Sequence, residues 1–188
     1  MVDAAGADHR GEAPVGDRQV EVARHARRRR TYPRGVTPAE VHRIVDSIVH
    51  ERTVDIVTVG RHSGRTRVTE IWTTVVAGEL YVCGTPGGAP GSLDHEPRDW
   101  LANLVAEPTF TLRLKQSVPA ELPARAVPVT DRATRERVFA APASAYYREH
   151  ARSMDELVER GPMVHVELVG AARAATDALR AAGLDTSP

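Results

Sequence analysis

The chain has 188 residues, 41% of them apolar and 27% charged, and Lys+Arg balance Asp+Glu at 25 each. A chain of this length can form one domain whose core needs no disulfide or metal to staple it, and a neutral balance gives no argument for a nucleic-acid partner. The single cysteine, Cys83, excludes an internal disulfide framework and a cysteine-based zinc ribbon, and it fits a reducing compartment.

Residues 1–36 stand apart from the rest. They hold eight arginines and five acids, a balance of +3 that leaves −3 for the remainder. They carry few large apolar residues and no helical or strand period, so the composition predicts a disordered arginine-rich tail followed by one domain over 37–188. The run Arg27–Arg30 could meet an anionic membrane or a nucleic acid, and a solvated tail is the plainer reading. No stretch has the apolar length of a signal peptide or of a membrane span. The expectation is a cytoplasmic protein with no integral membrane segment and no nucleic-acid partner. Lys115 is the only lysine beside 24 arginines, a compositional habit with no functional reading.

The folded part opens at Thr37-Pro38-Ala39-Glu40, a capping box with proline at the first helical position. Val41, Ile44, Val45, Ile48 and Val49 follow at helical spacing, which predicts a helix to about Arg52. The β-branched run 54–59 reads as a strand, Gly60–Arg65 as a turn, and 66–76 as a second strand. In that second strand Ile71, Thr73 and Val75 share one face, and Glu70, Trp72 and Thr74 the other. Ala77-Gly78-Glu79 turns the chain into a third strand over 80–84, completing a meander. After a loop at 86–91, a short helix from about Pro97 to Val105 carries Trp100, Leu101 and Leu104, and Pro108 ends it. Phe110, Leu112 and Leu114 alternate with Thr109, Thr111 and Arg113, the pattern of a half-buried strand. Residues 119–129 make another strand with prolines at its margins. Thr130-Asp131 starts a charged helix that Pro142 interrupts. A last strand covers 164–169, and an alanine-rich helix covers 170–183. The fold class is mainly β with flanking helices: a barrel of about six antiparallel strands.

Chemistry concentrates in two segments. Gly60–Arg67 gathers Arg61, Arg65 and Arg67 with His62, Ser63 and two glycines. Guanidinium forks and glycine-freed backbone N–H groups suit phosphate or carboxylate oxygens, and a solvated hairpin turn is the alternative. Strands flank this segment, so it is neither a Walker loop nor a dinucleotide fingerprint. Thr85-Pro86-Gly87-Gly88-Ala89 is the second segment, where small residues let a flat ligand approach the backbone. Trp100 lies on the helix that follows, either stacked on a ligand ring or packed in the core. Asn103, three residues later, could cap a loop or face water. His62, His95, His150 and His165 lack metal-binding spacing, and no metal is expected. No GxSxG elbow is present. Cys83 lies in an apolar strand and reads as an inert buried thiol. Tyr146 and Tyr147 follow Pro142 and could donate a proton or simply pack.

The segment Thr58-Val59-Gly60-Arg61-His62-Ser63-Gly64-Arg65-Thr66-Arg67 resembles the strand–turn–strand signature TTGRxSGxxR of the deazaflavin-dependent nitroreductase family. Thr85-Pro86-Gly87-Gly88-Ala89 resembles that family's Gly-Gly loop. Asp99-Trp100-Leu101-Ala102-Asn103-Leu104-Val105-Ala106-Glu107-Pro108 resembles its WxxNLxAxP block. The similarity spans about 40–169 in the family's order. It implies a split β-barrel related to pyridoxamine-phosphate-oxidase-like proteins. It also implies coenzyme F420, a deazaflavin with a phosphate and a polyglutamate tail, which members use to reduce nitroaromatics, quinones or other acceptors.

By the same resemblance, Arg67, and with it Arg61 and Arg65, would hold the phosphate and tail. Thr85, Gly87, Gly88 and Trp100 would surround the ring. The chain departs from the family at His62, where lysine is frequent, and at Pro86, where a basic or polar residue is. Both departures remove permanent charge. Cofactor chemistry needs binding and orientation from the protein rather than a triad, and the acceptor's proton would come from Tyr146, Tyr147 or water. The expected activity is hydride transfer from reduced F420 to a small-molecule electron acceptor. An FMN- or haem-binding barrel and a non-catalytic F420 carrier are the alternatives, and a homodimer is possible.

Overall fold

The computed structural model describes residues 36–86 and 99–186. The expected tail and the glycines Gly87 and Gly88 lie outside the described residues.

Each element follows from local chemistry. Helix α1 (Pro38–His50) begins at Thr37, whose hydroxyl accepts the Glu40 N–H at 3.3 Å while the Glu40 carboxylate accepts the Thr37 N–H at 2.9 Å. Its stripe Ile44, Val45, Ile48 and Val49 is buried. Strands β1 (Thr53–Val59), β2 (Thr66–Val76) and β3 (Glu79–Cys83) form the expected meander. Helix α2 (Asp99–Ala106) precedes β4 (Thr109–Leu114), where Phe110, Leu112 and Leu114 are buried and the residues between them are not. Strand β5 (Ala120–Pro128) buries Ala120, Leu122, Ala124 and Ala126. Strand β6 (Met163–Leu168) follows three further helices, α3 (Arg132–Ala140), α4 (Ala145–Glu149) and α5 (Met154–Arg160). Helix α6 (Arg173–Ala182) ends at Gly183.

The strands close into an antiparallel barrel in the order β1-β2-β3-β6-β5-β4. Closure is made by long-range pairs. Asp55, Ile56 and Val57 of β1 face Arg113, Leu112 and Thr111 of β4. Tyr81, Val82 and Cys83 of β3 face His165, Val164 and Met163 of β6. Closing a sheet on itself removes its unpaired edges. Asp55 and Glu70 are directly opposed acids in the β1–β2 register, and the Lys115 ammonium, 2.8 Å from Asp55 Oδ1, bridges both. That position offsets a like-charge pair that would weaken the ladder.

Two cores share the barrel wall. One fills the interior with Val54, Ile56, Val82, Leu112, Leu122 and Val166 and extends to α1, α6 and Trp100. The other lies outside, where α3–α5 cover Val76, Tyr81, Cys83 and Met163 with Phe139, Tyr147, Leu157 and Val158. Strand β3 is therefore buried on both faces and reads as a near-continuous apolar run. The covering helices are tied down by Arg135, whose guanidinium donates to the carbonyls of Val129, Val158 and Gly161. Cys83 is free and 1% exposed, and burial pushes its thiol pKa up to about 12. A thiol held protonated is a poor nucleophile. Among the described residues no helix is long and apolar enough to cross a membrane.

The β2–β3 turn fixes the C-terminal helix. Ala77 and Gly78 both have positive φ, +52° and +78°, which a primed hairpin turn requires. The Gly78 N–H donates to Leu184 O at 2.7 Å, and a Cβ on Gly78 would sit 2.6 Å from Leu179 O. Gly78→Ala should therefore lower the unfolding free energy by about 3 kcal/mol, from positive-φ strain plus a backbone clash. Chemical denaturation checks this, and a loss below about 1 kcal/mol would show that the turn yields without displacing α6.

Candidate functional site

At one end of the barrel the β1–β2 turn faces helix α2 across a cleft of about 410 Å³. Its lining comes from the turn (Gly60, Arg61, His62, Ser63), the start of β2 (Arg67, Val68, Thr69) and α2 (Asp99, Trp100, Asn103). Local sequence builds the turn. The Gly60 N–H donates to Arg65 O at 2.8 Å and the Gly64 N–H to Gly60 O at 2.8 Å, while Ser63 Oγ accepts the Arg65 N–H at 3.3 Å. Gly60 is required by close approach. A Cβ there would meet Ser63 Oγ at 2.7 Å and stand 3.5 Å from Arg67 Nε. The absence of that atom lets a hydroxyl and a guanidinium converge over bare backbone.

Asn103 joins the two sides. Its Oδ1 accepts the Arg61 N–H at 3.0 Å, and the residue is 7% exposed. The bond spans 42 positions of sequence and sets the turn against α2. Arg61 also donates from Nε to His62 Nε2 at 3.0 Å, so this imidazole nitrogen carries a lone pair. Trp100 is 7% exposed and belongs to the interior core, so the cleft sees only a small part of its ring. Its far edge approaches the end of β3, where a Cβ on Gly84 would lie 3.6 Å from Trp100 Cζ2. Val68 is 55% exposed and gives the open wall of the cleft an apolar surface.

Of the residues the sequence points to, Arg61, His62, Ser63, Arg67 and Trp100 come together. Arg65 is exposed on the same turn but does not line the cleft. Thr85 follows β3, also away from the lining. Tyr146 and Tyr147 lie with the outer helices. Tyr146 is 40% exposed against Trp72 (centroids 4.4 Å apart), and Tyr147 is 3% exposed in the outer core, where burial pushes its phenol pKa up. Neither tyrosine lines the cleft. The wall residues Val68 and Thr69 are lining residues that motif reading missed, and Asp99, at the head of the tryptophan block, lines the cleft without having been given a role. For Asn103 a signal existed: three positions after Trp100, it shares that residue's helix face.

The fold and cleft define a six-stranded antiparallel barrel with a cationic, glycine-cleared turn beside a core tryptophan. The sequence matches the family model of the F420H(2)-dependent quinone reductases over residues 24–178, which is 155 of 188 positions, and the chain belongs to that family. The match begins inside the arginine-rich segment. No curated protein matches the chain. Among solved structures, a conserved hypothetical protein from Mycobacterium tuberculosis is 17% identical, covering 72% of this chain and 82% of its own, with a TM-score of 0.48. A protein related to general stress protein 26 from Clostridium acetobutylicum, of the pyridoxinephosphate oxidase family, is 12% identical (70% and 84% covered, TM-score 0.49). The haem storage protein HutZ from Vibrio cholerae is 15% identical (69% and 89% covered, TM-score 0.48).

Family membership makes the protein an oxidoreductase and F420 its cofactor. The residues present fit that group. Arg61, Arg67 and Ser63 supply a donor set suited to phosphate and carboxylate oxygens, and the cradle over Gly60 is one that a Cβ would fill.

Asn103→Leu removes the acceptor of a partly buried N–H while keeping the branched heavy-atom skeleton. It should cost about 1–3 kcal/mol of stability and loosen the turn. Thermal melts together with F420 titration check this. Unchanged stability and affinity would show that the turn is held without Asn103.

Proposed function

We propose that the protein reduces a quinone-type acceptor, with F420 seated across the cleft between the β1–β2 turn and α2. The observation that carries this reading is the convergence of Arg67 and Ser63 over Gly60, in a cleft that Arg61 and Trp100 also line. Bound there, reduced F420 supplies the hydride. Arg61 and Arg67 neutralise the phosphate and acidic tail, and Ser63 adds a hydroxyl donor. Asn103 keeps the turn at a fixed distance from α2, so the anion anchor and the Trp100 wall stay in register. Holding both ends of an extended cofactor orients its ring, and orientation converts an encounter into an effectively unimolecular step.

Exposed Val68 gives the acceptor an apolar surface at the open side. The one proton that a quinone needs beside the hydride comes from water entering the open cleft, since neither Tyr146 nor Tyr147 lines it.

Turnover tests the proposal. Purified protein mixed with reduced F420 and a soluble quinone should regenerate oxidised F420, read by its absorbance. Arg67→Ala removes one charge-assisted contact and should weaken F420 binding by about tenfold to a hundredfold with little effect on stability, since Arg67 is exposed. Saturable F420 binding without turnover would make the protein a carrier. Binding of FMN in its place would overturn the cofactor assignment to this cleft.

A further inference from the structure

Among the described residues lining the cleft, His62 is the one imidazole, and a free imidazole changes charge between about pH 5 and 8. His62 stands on the turn between Arg61 and Ser63, and its Nε2 accepts the Arg61 Nε–H at 3.0 Å. That bond requires the neutral ring. A protonated imidazole has no lone pair to offer and becomes a donor at both nitrogens. Among the described residues, the charged groups lining the cleft beside it are Arg61 on the turn, Arg67 on β2 and Asp99 at the start of α2. Two of these three are permanent cations. An anion seated between them attracts any further positive charge on the turn.

We infer that His62 is a positioning residue that makes anion binding in this cleft pH-dependent: neutral, it orients the Arg61 guanidinium, and protonated, it becomes a third cation of the clamp. The inference deepens the cofactor reading above and rests on it for the identity of the natural anion. Its sign follows from linkage. If the anion binds the protonated form better, binding takes up a proton, and affinity rises as pH falls through the imidazole range. Above that range the neutral ring still spreads no charge of its own but keeps Arg61 from wandering, so the clamp works with two cations. A lysine at this position would hold the third charge at every pH and could not accept the Arg61 N–H.

The test compares the whole protein with His62→Gln, His62→Lys and Asp99→Asn, using two probes: F420, and inorganic sulfate, whose charge does not change over the range used. Binding is measured from about pH 8 to about pH 5.5, the span over which an imidazole changes charge. Wild-type affinity should tighten by about fivefold more than that of His62→Gln, whose amide oxygen can accept the Arg61 N–H but cannot titrate. At the alkaline end the two should match. His62→Lys should bind tightly with no such step, and Asp99→Asn should keep the wild-type step. The Arg61 Nε–H resonance in the free protein gives a readout independent of any ligand. It should shift as pH falls in wild type and stay in place in His62→Gln.

Identical pH profiles for wild type and His62→Gln would overturn the inference while leaving F420 binding intact. A step lost in Asp99→Asn would overturn it in favour of the carboxylate. A wild-type step seen with sulfate, absent from His62→Gln, and no F420 binding at any pH would support the clamp and refute the cofactor reading.

Discussion

Cationic groups converge on one short turn only where something other than a ligand holds them there. In this protein backbone does it. Gly60 leaves out the one atom that would separate Ser63 from Arg67, and Asn103 takes the Arg61 N–H from across the cleft. The turn is thus organised by its own contacts, as the proposed anion binding requires. Preorganisation of this kind lowers the entropic cost of binding and makes two exposed arginines worth more than their solvated counterparts.

The barrel supplies the rigidity behind that turn. Its wall is used twice: inside by aliphatic residues from all six strands, and outside by α3–α5, which cover β2, β3 and β6. Double coverage leaves the middle of β3 no solvated face, and Cys83 and Tyr81 are buried there for that reason. The outer lobe is held by Arg135 binding three carbonyls, a use of arginine for structure quite unlike its use in the cleft. In a chain with 24 arginines, type alone says nothing about role; what each guanidinium faces decides it.

How much of this could be read from sequence depends on how local the cause is. The capping box at Thr37 and the alternation through Phe110, Leu112 and Leu114 act within a few residues, and both elements stand where the pattern put them. Barrel closure depends on β1 pairing with β4 and β3 with β6, contacts that no short window contains. Helix α5 was not legible for a related reason: seven residues make a marginal helix, and this one exists because Leu157 and Val158 are buried and Arg135 holds its last carbonyls. Trp100 is packed in the core, as one of its two readings had it, and also lines the cleft. The tyrosines show the limit of motif reasoning. Two readings stood open for them, proton donor or packing residue, and position after Pro142 could not choose; Tyr147 packs against Phe139 and Tyr146 against Trp72.

The central claim is that the arginine turn and Trp100 face one bound cofactor. The most direct measurement is indole fluorescence of Trp72→Phe protein, in which Trp100 is the sole tryptophan, during titration with F420 at rising salt. The account predicts saturable quenching whose midpoint moves to higher F420 as salt screens the arginines. A Trp100 signal indifferent to F420, or an affinity indifferent to salt, would contradict it.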